Sequence, residues 1–291
     1  MGSKYKSILN KLKNYGELVM FTNTLFSLSF GIIAMILAAN GLPPFATTFW
    51  ICLALLTGRT AANALNRVVD RNIDAKDPRT AQRQIPSGKL SAKEVMVFVV
   101  INFLLLFIAT AMLPPICLML LPIAMVLFIV YSYSKRFTWL CHLILGFGCA
   151  VAPAGAWIGV TGSLSFPGLV LTAADVFWVA GFDIIYAIQD RKFDKSQGLH
   201  SIPVKFGETT ALHIGKIFHI ITFILLFSLT FFTSLGWIYA ISVFIVGGFL
   251  IYEHLLVSPN NYKKVIFASY SINKIISVIL LMGFVLDMLW H

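Results

Sequence analysis

The sequence predicts an all-α polytopic membrane protein whose chain crosses the bilayer about nine times. Three observations lead there. Hydrophobic residues make up 58% of the 291 positions and charged residues only 12%, about half the usual share for a soluble domain. The apolar stretches are continuous for about twenty residues, the length of a membrane helix. They do not alternate polar and apolar residues in segments of about ten, as a transmembrane barrel would. This composition excludes a soluble enzyme, a disordered chain and a disulfide-stapled secreted scaffold, because too little polar surface is available to cover the rest. We read residues 1–291 as a single domain with motif-bearing halves of about 17–135 and 139–291.

The N-terminus is polar and carries Lys4, Lys6, Lys11 and Lys13, which suit a membrane-surface anchor. The first apolar run is too long for the core of a cleavable signal peptide, so none is expected. The spans fall at about 17–39, 46–70, 94–113, 114–132, 139–160, 167–189, 211–232, 235–255 and 267–289. Leu113-Pro114-Pro115 separates the third from the fourth as a tight turn. Basic residues collect in alternate loops: Arg71, Lys76, Arg79, Arg83, Lys89 and Lys93; Lys135 and Arg136; Arg191, Lys192, Lys195 and Lys205; Lys263 and Lys264. The other loops, such as Gly41-Leu42-Pro43-Pro44 and Gly162-Ser163-Leu164-Ser165, have no Lys or Arg. With nine spans every basic segment lies on one side, which the positive-inside rule makes cytoplasmic, with His291 outside. The net charge of +10 is therefore attributed to membrane-facing loops and lipid headgroups, not to nucleic acid. Cys52, Cys117, Cys141 and Cys149 all sit in apolar stretches without metal-ligand spacing and read as small core residues. The six histidines form no metal-binding pattern.

Acidic residues in or beside spans are expensive, so their positions carry information. Five of the twelve lie at two places, the ends of spans 2 and 6. At the first, Asn66, Asp70 and Asp74 are spaced i, i+4, i+8. At the second, Tyr186, Asp190 and Asp194 repeat that spacing, and Asp183 joins the same face. On a helix this aligns the oxygens. The sets are 120 residues apart (66/186, 70/190, 74/194), and each precedes a basic loop with an Ile-Pro, Ile85-Pro86 or Ile202-Pro203. An even number of spans separates them, so both emerge on one side, in the manner of a diverged repeat that places a site between matching helix ends. Stacked carboxylates repel one another unless a cation offsets them. Oxygen-only ligands suit Mg²⁺, which commonly binds one or two carboxylates together with substrate phosphates. Two such helices suit two metal ions bridging a diphosphate, with the neighbouring Arg and Lys residues neutralising the remaining charge. A site at an apolar membrane surface points to a diphosphate with a lipid tail, a polyprenyl chain. The plainer reading, a solvated helix end of mixed charge, accounts for one such motif but poorly for two at equivalent positions.

At these residues the chain resembles the UbiA-type intramembrane prenyltransferase superfamily. Its N-x-x-x-D-x-x-x-D motif corresponds to residues 66–74, and the R-T-x-x-R-x-x-P-x-G continuation to residues 79–88. The Y-x-x-x-D-x-x-x-D motif corresponds to residues 186–194, and a K-R-[FY]-T element to Lys135-Arg136-Phe137-Thr138. The resemblance covers nearly the whole chain. It implies a helical ring around a central cavity with a cytoplasmic cap, in the inner membrane of a bacterium. It also implies Mg²⁺-dependent transfer of a polyprenyl group from polyprenyl diphosphate to an aromatic acid. The branch similar to 4-hydroxybenzoate polyprenyltransferases fits best, on residues 181–187 and 198–203. A subgroup of it prenylates a dihydroxynaphthoate, so ubiquinone and menaquinone biosynthesis both remain open. Arg67 stands where many 4-hydroxybenzoate enzymes have an Asp directly after the Asn.

With that resemblance, Asn66, Asp70, Asp74, Asp190 and Asp194 are the expected metal ligands, directly or through water. Arg83 and Lys135 are the expected diphosphate contacts, joined by Arg71, Arg79 and Arg136, which lipid headgroups would equally attract. Tyr186 is expected to hydrogen-bond the diphosphate or to pack between helices. Asp183, a turn deeper, would receive a proton or orient the acceptor. Arg59, inside span 2, would bind an acceptor carboxylate or pair with a buried acid such as Asp175. No obligate protein partner is indicated. A cation-coupled transporter is the competing class, but its acids belong at the membrane midplane and these lie at helix ends. A phospho-alcohol transferase would need a denser single acidic motif.

Overall fold

The computed structural model describes residues 2–20, 28–259 and 261–290. Those residues form α1 (Gly2–Leu18), α2 (Ser29–Ala39), α3 (Phe45–Asp74), α4 (Ala92–Ala111), α5 (Pro115–Ser134), α6 (Cys141–Thr161) and α7 (Phe166–Ala187). They continue as α8 (Arg191–Ser196), α9 (Ile202–Phe206), α10 (Glu208–Phe232), α11 (Trp237–Leu255) and α12 (Asn273–Trp290). A 3₁₀ turn, Ile188–Asp190, joins α7 to α8, and a π turn, Phe267–Ile272, leads into α12. Eight of the resulting helical rods are long and apolar enough to cross a membrane. The ninth expected span, 17–39, is represented by the shorter α2, and part of it, residues 21–27, lies outside the described residues. His291, expected on the outer side, lies outside them as well.

Local chemistry sets the helix ends. Pro44 and Pro114 immediately precede α3 and α5 with extended backbones, where a residue without an N–H costs nothing. Ser91 and Glu94 form a reciprocal capping box at α4, with the Ser91 hydroxyl accepting from the Glu94 amide at 3.1 Å. The same Glu94 receives Lys11 at 2.6 Å, which ties α1 to α4. At the start of α11 the orphan amides are capped from another helix: Asp287 on α12 accepts from Gly236, Ile238 and Tyr239 at 2.7–3.1 Å.

Consecutive helices pack against one another from α3 to α7, then α10, α11 and α12, and α2 lies against α6 and α12. The result is a ring of helices around an internal cavity. Small residues let the backbones approach: a Cβ on Gly146 of α6 would sit 2.4 Å from the Val176 carbonyl of α7. A Cβ on Gly181 of α7 would likewise collide with the His219 ring of α10. Trp178, fully buried, stacks on Phe30 with centroids 5.0 Å apart and joins α7 to α2. Outward faces are apolar, with Val97, Ile101, Leu104 and Ile108 exposed along α4, as lipid contact requires. The cysteines differ from the sequence expectation in one case: Cys52 is exposed on α3, whereas the other three are buried. Cysteine is small and apolar enough to face lipid as readily as a core.

Candidate active site

The two motif-bearing helices meet at one end of the ring. α3 continues past residue 70, where the sequence reading ended its span, and carries Asn66, Asp70 and Asp74 on its last turns. The second motif is not on one regular α-helix. Tyr186 lies in α7, Asp190 in the 3₁₀ turn and Asp194 in α8. Three residues at three per turn instead of 3.6 rotate the downstream chain by roughly 60°, so Asp190 and Asp194 are turned relative to Asp183 and Tyr186. Residues 75–91 and 191–207 close over this end, bridged by Lys76 and Gln197 at 3.4 Å. The Thr80 hydroxyl donates to the Asp74 carbonyl at 3.0 Å, and the His200 amide to the Lys135 carbonyl at 2.7 Å.

Beneath that cap lies a cavity of about 190 Å³ lined by Asn66, Asp70, Asp74, Asp183, Asp190 and Asp194 together with Arg59, Arg67, Arg79, Arg83 and Lys135. A second, apolar cavity of about 260 Å³ lies between α3, α4, α5 and α6, lined by residues such as Leu55, Leu106, Leu121 and Phe128. The two share Arg59, Asn63, Tyr131, Leu145 and Cys149 in their walls.

Each motif carboxylate faces a cation. Asp70 meets Arg136 at 2.8 Å and accepts from the Asn66 amide at 2.9 Å. Asp74 meets Arg83 at 2.7 Å, Asp190 meets Arg79 at 2.8 Å, and Asp194 meets Lys135 at 3.4 Å. The Arg79 guanidinium also donates to the Tyr186 hydroxyl and lies over its ring. Burial alone would lower the Lys135 ammonium, but the Asp194 and Asp190 carboxylates outweigh it and hold its pKa above the usual lysine value. Arg79 follows the same pattern, lowered by burial and raised more strongly by Asp190, Tyr186 and Asp77. Both therefore stay fully charged. Among the described residues no three acids converge into a closed metal cage. A Mg²⁺ site does not need one, since that ion keeps waters and shares ligands with substrate phosphate. The donor set fits a hard cation, and Asp74 Oδ2 is buried with no hydrogen-bond partner.

The structure thus gathers twelve of the thirteen candidate residues at or beside one cavity. Arg71 is the exception: it is exposed, and its guanidinium donates back to the Val68 carbonyl of its own helix at 2.7 Å. Arg136 reaches the site through Asp70. Arg59 forms no ion pair with Asp175; it donates to the Cys149 thiol at 2.8 Å. Asp183 is held by His142, whose Nδ1 lies 2.7 Å from Asp183 Oδ2 and whose side chain is fully buried. Sequence reasoning missed His142, because its partner lies 41 residues away and no local motif marks it. It also missed the wall formed by Tyr131, Trp178, Phe182 and Tyr270. The stripe Arg59, Asn63, Arg67, spaced i, i+4, i+8 beside the acidic one, was a signal available in the sequence.

A sequence profile of the UbiA prenyltransferase family matches residues 27–275. The chain belongs to that family. It is similar to the 4-hydroxybenzoate octaprenyltransferase of Vibrio parahaemolyticus, with 27% identity over 276 residues, covering 94% of this chain and 96% of the relative. A UbiA homolog from Aeropyrum pernix, solved in its apo form, superimposes with a TM-score of 0.82 at 28% identity, covering 91% of this chain and 98% of that one. A UbiA homolog from Archaeoglobus fulgidus, solved with DMAPP and Mg²⁺ bound, shares the fold at 18% identity with a TM-score of 0.66, covering 96% and 100% of the two chains. The protein is an integral membrane prenyltransferase of this family, and its all-helical, membrane-spanning architecture agrees with the fold of these neighbours.

Proposed function

We propose that this protein transfers a polyprenyl group from polyprenyl diphosphate to an aromatic acid, 4-hydroxybenzoate or a dihydroxynaphthoate, with Mg²⁺, at the cytoplasmic face of a bacterial inner membrane. The observation that carries the reading is the junction of the two cavities. A carboxylate- and cation-lined chamber shares a wall with an apolar chamber between α3, α4, α5 and α6. Such a pair suits a molecule with a diphosphate head and an isoprenoid tail. The 27% identical Vibrio parahaemolyticus relative, named for 4-hydroxybenzoate, supports the acceptor class.

Asn66, Asp70, Asp74, Asp190 and Asp194 are the residues to hold the metal. Mg²⁺, when bound, would offset negative charge that builds on a departing diphosphate. Arg79, Arg83 and Lys135, already oriented by their carboxylate partners, are placed to bind diphosphate oxygens, and Arg136 orients Asp70. The Tyr186 hydroxyl, held by Arg79, positions that guanidinium. Tyr131, Trp178, Phe182 and Tyr270 line the cavity, and aromatic rings favour the positive charge that develops on the allylic carbon as its C–O bond breaks. The ring carbon ortho to a phenolic hydroxyl attacks that carbon, and the proton lost there passes to a carboxylate oxygen of Asp183, whose other contact, His142, keeps it oriented. Arg59 is available to an acceptor carboxylate.

The test is incubation of the purified protein in lipid nanodiscs with radiolabelled polyprenyl diphosphate, a panel of aromatic acids and Mg²⁺ or chelator. We expect Mg²⁺-dependent label in the aromatic product. No incorporation into any aromatic acid would sink the proposal, and incorporation into a dihydroxynaphthoate alone would reject 4-hydroxybenzoate.

A further inference from the structure

We infer that Arg67 is a second anion-binding residue of the acceptor subsite, taking the carboxylate of an aromatic acid. The inference rests on the proposed prenyl transfer. Four cations at the site, Arg79, Arg83, Lys135 and Arg136, each have a carboxylate within 3.4 Å. Arg67 lines the same cavity and has no acid within ion-pair distance among the described residues; its one side-chain hydrogen bond goes to the Met20 thioether at 3.2 Å, a weak acceptor. A guanidinium held away from bulk water without a directly paired counter-charge is costly, and its planar fork of donors suits a carboxylate.

Pairing, not distance, sets this group apart from the diphosphate cations, since Arg83 and Asp74 both lie within electrostatic reach of it. Arg67 belongs to the stripe Arg59, Asn63, Arg67, beside the acidic stripe Asn66, Asp70, Asp74. Asn63 donates to the Val19 carbonyl at 2.9 Å and Arg67 to the next residue, so the stripe borders the end of α1. Arg67 is three residues deeper than Asp70, about 4.5 Å along the axis. The other guanidinium of the stripe, Arg59, also has no carboxylate within ion-pair distance among the described residues and is held by a thiol. Two guanidiniums without a salt-bridged carboxylate among the described residues therefore line the cavity that Asp183 and the aromatic side chains line. An anionic acceptor offsets that charge, and a neutral phenol does not.

The test compares wild type, Arg67→Gln and Arg67→Lys as full-length protein in nanodiscs, using 4-hydroxybenzoate and its methyl ester as probes. Equilibrium binding of each probe is measured by calorimetry without prenyl diphosphate, and KM for prenyl diphosphate separately. In Arg67→Gln we expect acid affinity to fall about ten- to a hundredfold, the loss of one charge-assisted contact. Ester affinity and the KM for prenyl diphosphate stay unchanged, and Arg67→Lys recovers part of the acid binding. Thermal unfolding checks the fold; should Arg67→Gln not fold, a fall in acid affinity without a fall in ester affinity in Arg67→Lys is the supporting result. Unchanged acid-over-ester preference in a folded variant, or a KM for prenyl diphosphate that rises as much as the acid Kd, overturns the inference while prenyl transfer by wild type stands. Absence of wild-type transfer to any aromatic acid overturns both.

Discussion

Replacing Asp190 by Asn tests the site most directly. From sequence alone, removing one of several stacked negative charges relieves repulsion and should leave folding intact. In the structure Asp190 instead faces Arg79 at 2.8 Å, with side-chain exposures of 8% and 32%. This lies between an exposed pair, worth about 0–1 kcal/mol, and a buried one whose breakage costs about 3–5 kcal/mol. Arg79 keeps Tyr186 and Asp77 as partners, so we predict a loss of about 1–2 kcal/mol, a few degrees in thermal unfolding. The activity effect should be larger. Losing one or two charge-assisted contacts to the metal and its diphosphate is worth roughly 2–4 kcal/mol, about thirty- to a thousandfold in rate. Asp70→Asn on the facing helix should behave alike, with excess Mg²⁺ recovering only part of the rate. The double variant should be little worse than the weaker single one, because groups acting as a unit are not additive. The assay is prenyl transfer by wild type, both singles and the double across a Mg²⁺ titration, beside thermal unfolding of the same samples. Near-wild-type transfer in either single variant, or a double variant whose loss is the product of the two, would refute the shared site.

Arg83→Ala and Lys135→Ala should each raise the KM for prenyl diphosphate about ten- to a hundredfold; unchanged kinetics would assign both to the membrane surface. Because the folded-state pKa of Lys135 is raised, its ion pair is fully present below the unfolded value of 10.5 and is lost only as pH climbs through the higher folded value. A KM for prenyl diphosphate that rises between about pH 8 and 10 in wild type but not in Lys135→Arg would contradict this. Gly146→Ala should destabilise by about 1–3 kcal/mol, since the added methyl meets a backbone carbonyl that cannot rotate away; an unchanged unfolding temperature would show that α6 and α7 can separate at no cost. Single cysteines at Gly88 and Gln197 in a cysteine-free background should react with an impermeant thiol reagent from the same side, the cytoplasmic one, and labelling from opposite sides would disprove the paired-loop topology.

The sequence by itself determined most of the architecture. Composition and unbroken apolar runs dictate membrane helices because lipid leaves backbone groups no partner outside the helix. The spacing of Asn66, Asp70 and Asp74, repeated 120 residues later, brought out the acidic half of the site, since carboxylates near a bilayer are too costly to be placed without use. Tertiary structure alone decided what each side chain faces. No local pattern reveals that Asp183 rests on His142, that Arg59 turns to Cys149 and not Asp175, or that Arg71 folds back on its own helix while Arg67 opens into the cavity. The 3₁₀ turn at Ile188–Asp190, which rotates the second acidic pair, is equally invisible in the spacing. These outcomes depend on how closely helices approach at residues such as Gly146 and Gly181. Periodicity specifies which residues share a face, and only packing between segments distant in the chain specifies what that face meets.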